Sequence, residues 1–215
     1  MSTSTKWTLA ALAAVVALVV ALGAQMRSAY TPSGPGDPVA ARDRRDADTP
    51  AALAEPRRRA DLAPCPAPGV GPGPAALRGI ELECAGDGSR VDVARALAGR
   101  TVVLNLWAYW CAPCTQELPA MAEYQRRVGP AVTVLTVHQD ENETAALLRL
   151  AELGVHLPTL QDGRRRIAAA LKVPNVMPAT VLLRADGTVA EVLPRSFDSA
   201  DEIAAAVEAK MGTVR

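Results

Sequence analysis

Aromatic side chains are scarce in this chain of 215 residues, which holds one Phe, three Trp and three Tyr. Its core must therefore rest on Val, Leu, Ile and Ala. An excess of one charge is absent too: 23 Lys and Arg balance 23 Asp and Glu. Composition thus gives no electrostatic reason to expect a nucleic-acid partner. Lysine is confined to Lys6, Lys172 and Lys210, so the basic charge is almost all Arg. The chain has only two histidines, His138 and His156. Both read as ordinary loop-edge residues rather than metal ligands. No Gly-x-Gly-x-x-Gly occurs, which leaves no nucleotide fingerprint. No cofactor and no metal are expected.

Large apolar residues are nearly missing from Arg27 to Pro64, where Pro32, Pro35, Pro38, Pro50 and Pro56 interrupt any helical pattern. Such a stretch buries too little surface to offset its ordering entropy, so residues 27–64 read as a disordered Pro/Ala/Arg-rich tether. The basic run Arg57-Arg58-Arg59 reads as solvated charge. Before the tether, Thr8 to Ala24 carries no charge and follows Lys6 and Trp7. Extended through Met26, it reaches the length that crosses a bilayer core. Residues 1–26 are expected to be an uncleaved signal anchor forming one transmembrane helix, with cleavage as the alternative. Lys6 favours the short N-terminal end staying in the cytoplasm, and Arg27 weakens that inference. Either way, residues 65–215 are expected as a domain on the extracytoplasmic side of the cell membrane, where disulfides persist.

Four cysteines are present, and two of them stand in Trp110-Cys111-Ala112-Pro113-Cys114. This motif follows the apolar run Thr101 to Trp107, which reads as a buried strand. A helix is expected from Cys111 to about Val128, bent at Pro119 and stopped at Gly129-Pro130. A sulfur at a helix N-terminus is favoured as thiolate, and a second sulfur one turn on is placed to close a disulfide. Cys111 is expected at the surface as the nucleophile, with Cys114 more buried as the resolving thiol. Glu117 lies three residues after Cys114 on the same side of that helix. It reads either as a proton acceptor for Cys114 or as a plain helix residue.

The remaining pattern alternates strands and helices. Leu77 to Cys84 and Ser89 to Val93 read as a hairpin around Ala85-Gly86-Asp87-Gly88. Val132 to His138 is a second buried-type strand. Asp140 and Glu143 have capping-box spacing for a helix reaching about Leu153, with Gly154 at its end. A short helix is expected from about Arg165 to Leu171. Thr180 to Leu183 and Val189 to Leu193 form a hairpin. Ser199 and Glu202 cap a last helix to about Met211. This order predicts an α/β domain whose mixed central sheet is flanked by helices. Cys65 and Cys84 are left as a pair, read as a structural disulfide; a second redox pair and a zinc site are the alternatives.

The residues Leu104 to Cys114, then Glu117-Leu118-Pro119, then Met177-Pro178-Ala179-Thr180, resemble the TlpA/ResA-like thioredoxin-fold oxidoreductases. The resemblance covers roughly Leu77 to Met211. It implies a thioredoxin fold with an N-terminal β-hairpin extension and an inserted helix at Asp140 to Leu153. It further implies that Pro178 is a cis proline facing Cys111, and that Trp110 and Met177 border the substrate. Asn105 stands where thioredoxin itself carries a buried Asp, which makes Glu117 the better acid–base candidate. The Thr-x-x-Cys of peroxidases on this fold is absent. The implied function is membrane-tethered reduction of disulfides in exported proteins, for instance apocytochrome c before haem attachment. Electrons would come from a membrane-embedded partner. Two other readings stay open: a disulfide-forming oxidase, and a non-catalytic binding module.

Overall fold

In a computed structural model of the chain, the structure describes residues 48–212. The expected span at residues 8–24 and the tether at 27–47 lie outside the described residues. Among the described residues, no helix is long and apolar enough to cross a membrane.

Helix α1 (Pro50–Ala60) precedes strands β1 (Glu81–Cys84) and β2 (Arg90–Asp92). The short helix α2 (Val93–Ala96), strand β3 (Val102–Trp107) and helix α3 (Ala112–Val128) follow. Next come β4 (Thr133–His138), α4 (Glu143–Leu153), β5 (Thr159–Gln161) and α5 (Arg166–Ala170). The hairpin β6 (Ala179–Leu183) and β7 (Val189–Leu193) leads into α6 (Ala200–Met211). The strands form one seven-stranded sheet in the order β2-β1-β5-β4-β3-β6-β7. β3, β4 and β5 are mutually parallel, and the other pairings are antiparallel. The sheet is mixed, with the expected N-terminal hairpin extending it beyond β5.

Side-chain alternation along β3 divides the core. Val102, Leu104 and Leu106 join a cluster with Val93 and Ala94 of α2 and Ile167 and Ala168 of α5. Val103 and Trp107 join the other cluster with Cys114, Leu118 and Met121 of α3 and Ile203 and Val207 of α6. Period two therefore puts Asn105 on the α3 side of the sheet. Phe197, the one phenylalanine, is fully buried in that second cluster.

The tether assignment fails for its last part, because residues 50–60 are helical. Thr49 caps α1, its side-chain oxygen accepting the Ala52 N–H, and Pro50 occupies the first turn, where no N–H is needed. Leu53, Pro56 and Ala60 are its buried residues, and Leu53 and Ala60 pack with Ala85 and with Leu147 of α4. Arg57 reaches from α1 to the Glu83 and Glu143 carboxylates and donates from Nε to the Ala85 carbonyl. Both Asp48 oxygens accept backbone N–H groups at the start of α4, from Glu143 and Thr144. His156 holds the far end of α1 through the Ala60 and Asp61 carbonyls. Propensity alone condemns this segment; these docking contacts and the half-buried Arg57 guanidinium supply the missing stabilisation.

A second correction concerns the start of α4. Its N-cap is Asn142, whose side-chain oxygen accepts the Ala145 N–H at 2.9 Å. Asp140 lies earlier in the loop and bonds elsewhere. The cap expected at Ser199 forms as expected, accepting the Glu202 N–H at 3.3 Å. Gly154 ends α4 in the left-handed region.

Candidate active site

β3 stops at Trp107, and Ala108 to Trp110 turn the chain into α3. Cys111 is the N-cap of α3 in extended backbone, and its Sγ accepts the Cys114 N–H at 3.3 Å. Pro113 sits in the first turn, where its missing N–H leaves no gap in the helix ladder. The free N–H groups of this turn present partial positive charge to the Cys111 sulfur. Cys111 and Cys114 are joined as a disulfide with a Cα–Cα distance of 5.3 Å. Cys114 is fully buried, as expected. Cys111 is only 5% exposed, so the expectation of a surface sulfur needs correction. Trp110, not Cys111, is the exposed residue of the motif, at 59%.

Glu117 lies one turn beyond Cys114, with no exposed surface. Its Oε2 accepts from Asn105 Nδ2 at 2.8 Å, and its Oε1 accepts the Phe197 N–H at 3.1 Å. Burial pushes its pKa up to about 7, against the pull of those two hydrogen bonds and of Arg195. Asn105 thus acts on the site as a donor to Glu117. A carboxyl that exchanges its proton near neutrality, one turn from a buried thiol, is suited to proton transfer.

The Met177-Pro178 peptide bond is cis. Register places Ala179 opposite Leu106, so Pro178 enters β6 beside the end of β3, where the Cys111 loop departs. Met177 packs on the same cluster as Cys111 and Cys114. Fold topology thus brings Trp110, Cys111, Cys114, Glu117, Met177 and Pro178 to one end of the central strands. Cys65 and Cys84 are bonded to each other, with a Cα–Cα distance of 5.9 Å, and take no part in this assembly.

A family model described as Redoxin matches residues 67–207. The chain belongs to the Redoxin family. Within it, the thiol-disulfide oxidoreductase ResA of Bacillus subtilis is 32% identical over 108 residues, 50% of this chain and 59% of that protein. The thioredoxin-like protein YneN of the same organism is 31% identical over 99 residues, 44% of this chain and 56% of that protein. The chain spans less than two thirds of the length of these relatives. A secreted Mycobacterium tuberculosis disulfide oxidoreductase homologous to E. coli DsbE matches with TM-score 0.54 and 27% identity, over 62% of this chain and 97% of that one. M. tuberculosis dsbF matches with TM-score 0.57 and 25% identity, over 65% and 99%. The thioredoxin-like α/β fold and the ResA-like character of this Redoxin domain are therefore shown.

One buried residue behind the β3–α3 turn escaped the sequence reading. His138 is no loop-edge residue: it ends β4 without exposed surface, 5.0 Å from the Trp107 ring between centroids. Burial holds its pKa below the ordinary histidine value, against the hydrogen bond to Gln161. The continuous apolar run Val132 to Val137 is the signal that marks its neighbourhood as interior.

Proposed function

We propose that this chain is an exported, membrane-tethered thiol–disulfide oxidoreductase that reduces disulfides in other exported proteins. The observation that carries the reading is the Cys111–Cys114 pair at the start of α3, with Glu117 buried one turn further on. The apolar run at residues 8–24 supports export and anchoring, and the ResA resemblance supports the direction and apocytochrome c as a substrate.

In the reduced protein, the Cys111 thiolate attacks one sulfur of the substrate disulfide. A Cys111–substrate disulfide forms, and the substrate's other sulfur leaves and takes up a proton. The α3 N-terminus stabilises the attacking thiolate. Cys114 then gives its proton to Glu117 and attacks Cys111 Sγ. This closes Cys111–Cys114 and releases the second substrate sulfur, so the substrate gains two electrons and two protons. The backbone at Met177 pairs with the extended substrate chain, and Pro178 keeps that edge open beside the dithiol. A membrane-embedded dithiol partner returns two electrons to Cys111–Cys114.

The test is a trap in the native host. With Cys114→Ala, substrates remain bonded to Cys111 and are recovered as mixed disulfides of exported proteins. Recovery of no covalent partner, where the wild type is active, removes the reading. A reduction potential near −270 mV fits the reductase, and one near −120 mV reverses the direction to oxidase.

A further inference from the structure

Four hydrogen bonds run in a ring from Tyr109 back to its neighbour Trp110. The Tyr109 N–H donates to His138 Nε2 at 3.4 Å. On the other side of the ring, His138 Nδ1 meets Gln161 Oε1 at 2.8 Å. Gln161 Nε2 donates to the Asp140 carbonyl at 2.6 Å. The Trp110 indole Nε1 donates to Asp140 Oδ2 at 3.0 Å. Asp140 Oδ1 accepts the Asn142 N–H, which fixes that carboxylate to its own loop.

The ring admits one arrangement of protons. An amide N–H donates to Nε2, so that nitrogen carries a lone pair. Gln161 spends its NH₂ on Asp140, so its oxygen faces Nδ1, which must carry the proton. His138 is thereby held neutral, in the Nδ1–H tautomer. The imidazole packs on the aromatic rings at the β3–α3 turn: the Trp107 centroid lies 5.0 Å away and that of Tyr109 lies 6.0 Å away. Nothing in the thiol exchange itself uses His138. Its contacts lead instead to the two residues that precede Cys111.

We infer that His138, acting through Gln161 and Asp140, is a positioning residue that fixes the Tyr109-Trp110 loop and so the exposed indole against which protein substrates align. The inference rests on the oxidoreductase reading above. Trp110 is 59% exposed, and a free indole in that position samples several rotamers. The ring selects one of them through both ends of the dipeptide: backbone at Tyr109, side chain at Trp110. A small disulfide that touches only Cys111 is indifferent to that choice. A polypeptide disulfide lying across the loop is not, because misplacement of a binding surface is felt in substrate alignment.

The full-length chain, reduced, is assayed in single turnover with excess substrate against dithiobis(2-nitrobenzoate) and against a synthetic peptide closed by one disulfide. His138→Leu removes both ring bonds, and Gln161→Leu cuts the middle of the ring at a half-buried site and leaves the imidazole in place. Both variants are expected to raise the half-saturating peptide concentration about fivefold, with the limiting rate and the dithiobis(2-nitrobenzoate) rate within about twofold. The Trp110 indole N–H resonance is expected to shift in both, and the reduction potential to stay. Equal losses on both substrates, or no loss on the peptide, overturn the positioning role. Should His138→Leu fail to fold, Gln161→Leu decides alone. A wild type that reduces neither disulfide removes the oxidoreductase reading itself, and this inference with it.

Discussion

The chain carries two disulfides in one fold, and they differ in everything except the bond. Cys65–Cys84 ties residues 19 apart in sequence, one in the Pro-rich run and one at the end of β1. Cys111–Cys114 ties residues three apart at the start of α3. By exposure alone the first is the more reactive, because Cys65 is half-buried and Cys111 is 5% exposed. By surroundings the order reverses. Only the Cys111–Cys114 pair sits at a helix N-terminus, with a carboxyl poised near neutrality one turn beyond Cys114 and a cis proline leading into the strand next to β3. Accessible sulfur area is a poor guide to function here, and local electrostatics is a good one.

Substitution can break this contrast. Cys111→Ser is expected to abolish disulfide exchange, by at least about a thousandfold in kcat/KM. Cys65→Ala with Cys84→Ala is expected to keep exchange within about twofold of wild type in the same assay. Comparable losses in the two would make the second pair a redox partner of the first. The double variant should instead lose roughly 3 kcal/mol of stability in urea unfolding, the loop-entropy effect of a bridge this long.

Glu117 sharpens the contrast through pH. Its folded pKa is about 7 and its unfolded value is near 4.5, so the folded domain holds that proton more tightly. This contribution is fully present below about pH 4.5 and is lost as pH rises through 7. It amounts to roughly 3 kcal/mol across the window. Glu117→Gln should flatten that part of the pH–stability curve, measured against wild type in the same buffers. It should also slow resolution of a Cys111 mixed disulfide by about tenfold or more near neutrality. Glu143, also pushed up to about 7 by burial, titrates in both proteins and so cancels in the comparison.

The smaller effect lies beside the second pair. Arg57→Met leaves the Glu83 and Glu143 carboxylates without their guanidinium. The expected cost is about 2 kcal/mol by chemical denaturation, softened because Glu143 can take up a proton. Exchange kinetics should not change. A fall in kcat/KM would show that the α1 clamp reaches the dithiol.

How far these features were legible depended on where the physics was local. β3, β4 and the β6–β7 hairpin announce themselves as apolar runs with turn residues between them, and the structure matches them closely. β5 escapes because three residues carry no period; its place comes from pairing with β4 and β1. α1 escapes because Pro50 and Pro56 read as breakers, whereas Pro50 is harmless in a first turn and Arg57 finds its partners far along the chain. The candidate arrangement was legible where it follows the chain, at Cys111, Cys114 and Glu117 on one helix. It was not where chemistry crosses the sheet. Asn105 and Glu117 both stand out in the sequence, yet the bond between them depends on strand alternation meeting a helix turn. His138 is silent for the same reason, since its partners come from the β3–α3 loop and from β5.

Asp48 and α1 carry a consequence for reach. Because Asp48 is fastened to the start of α4, the contacts of the folded body reach back at least that far, well before Cys65. Under the proposed anchoring, any leash between bilayer and enzyme is then no longer than residues 27–47. Fully extended, they span at most about 75 Å, against about 135 Å for residues 27–64. Were the chain anchored as proposed, the dithiol would be confined to a shell next to the membrane, within reach of emerging polypeptides and of the proposed electron donor.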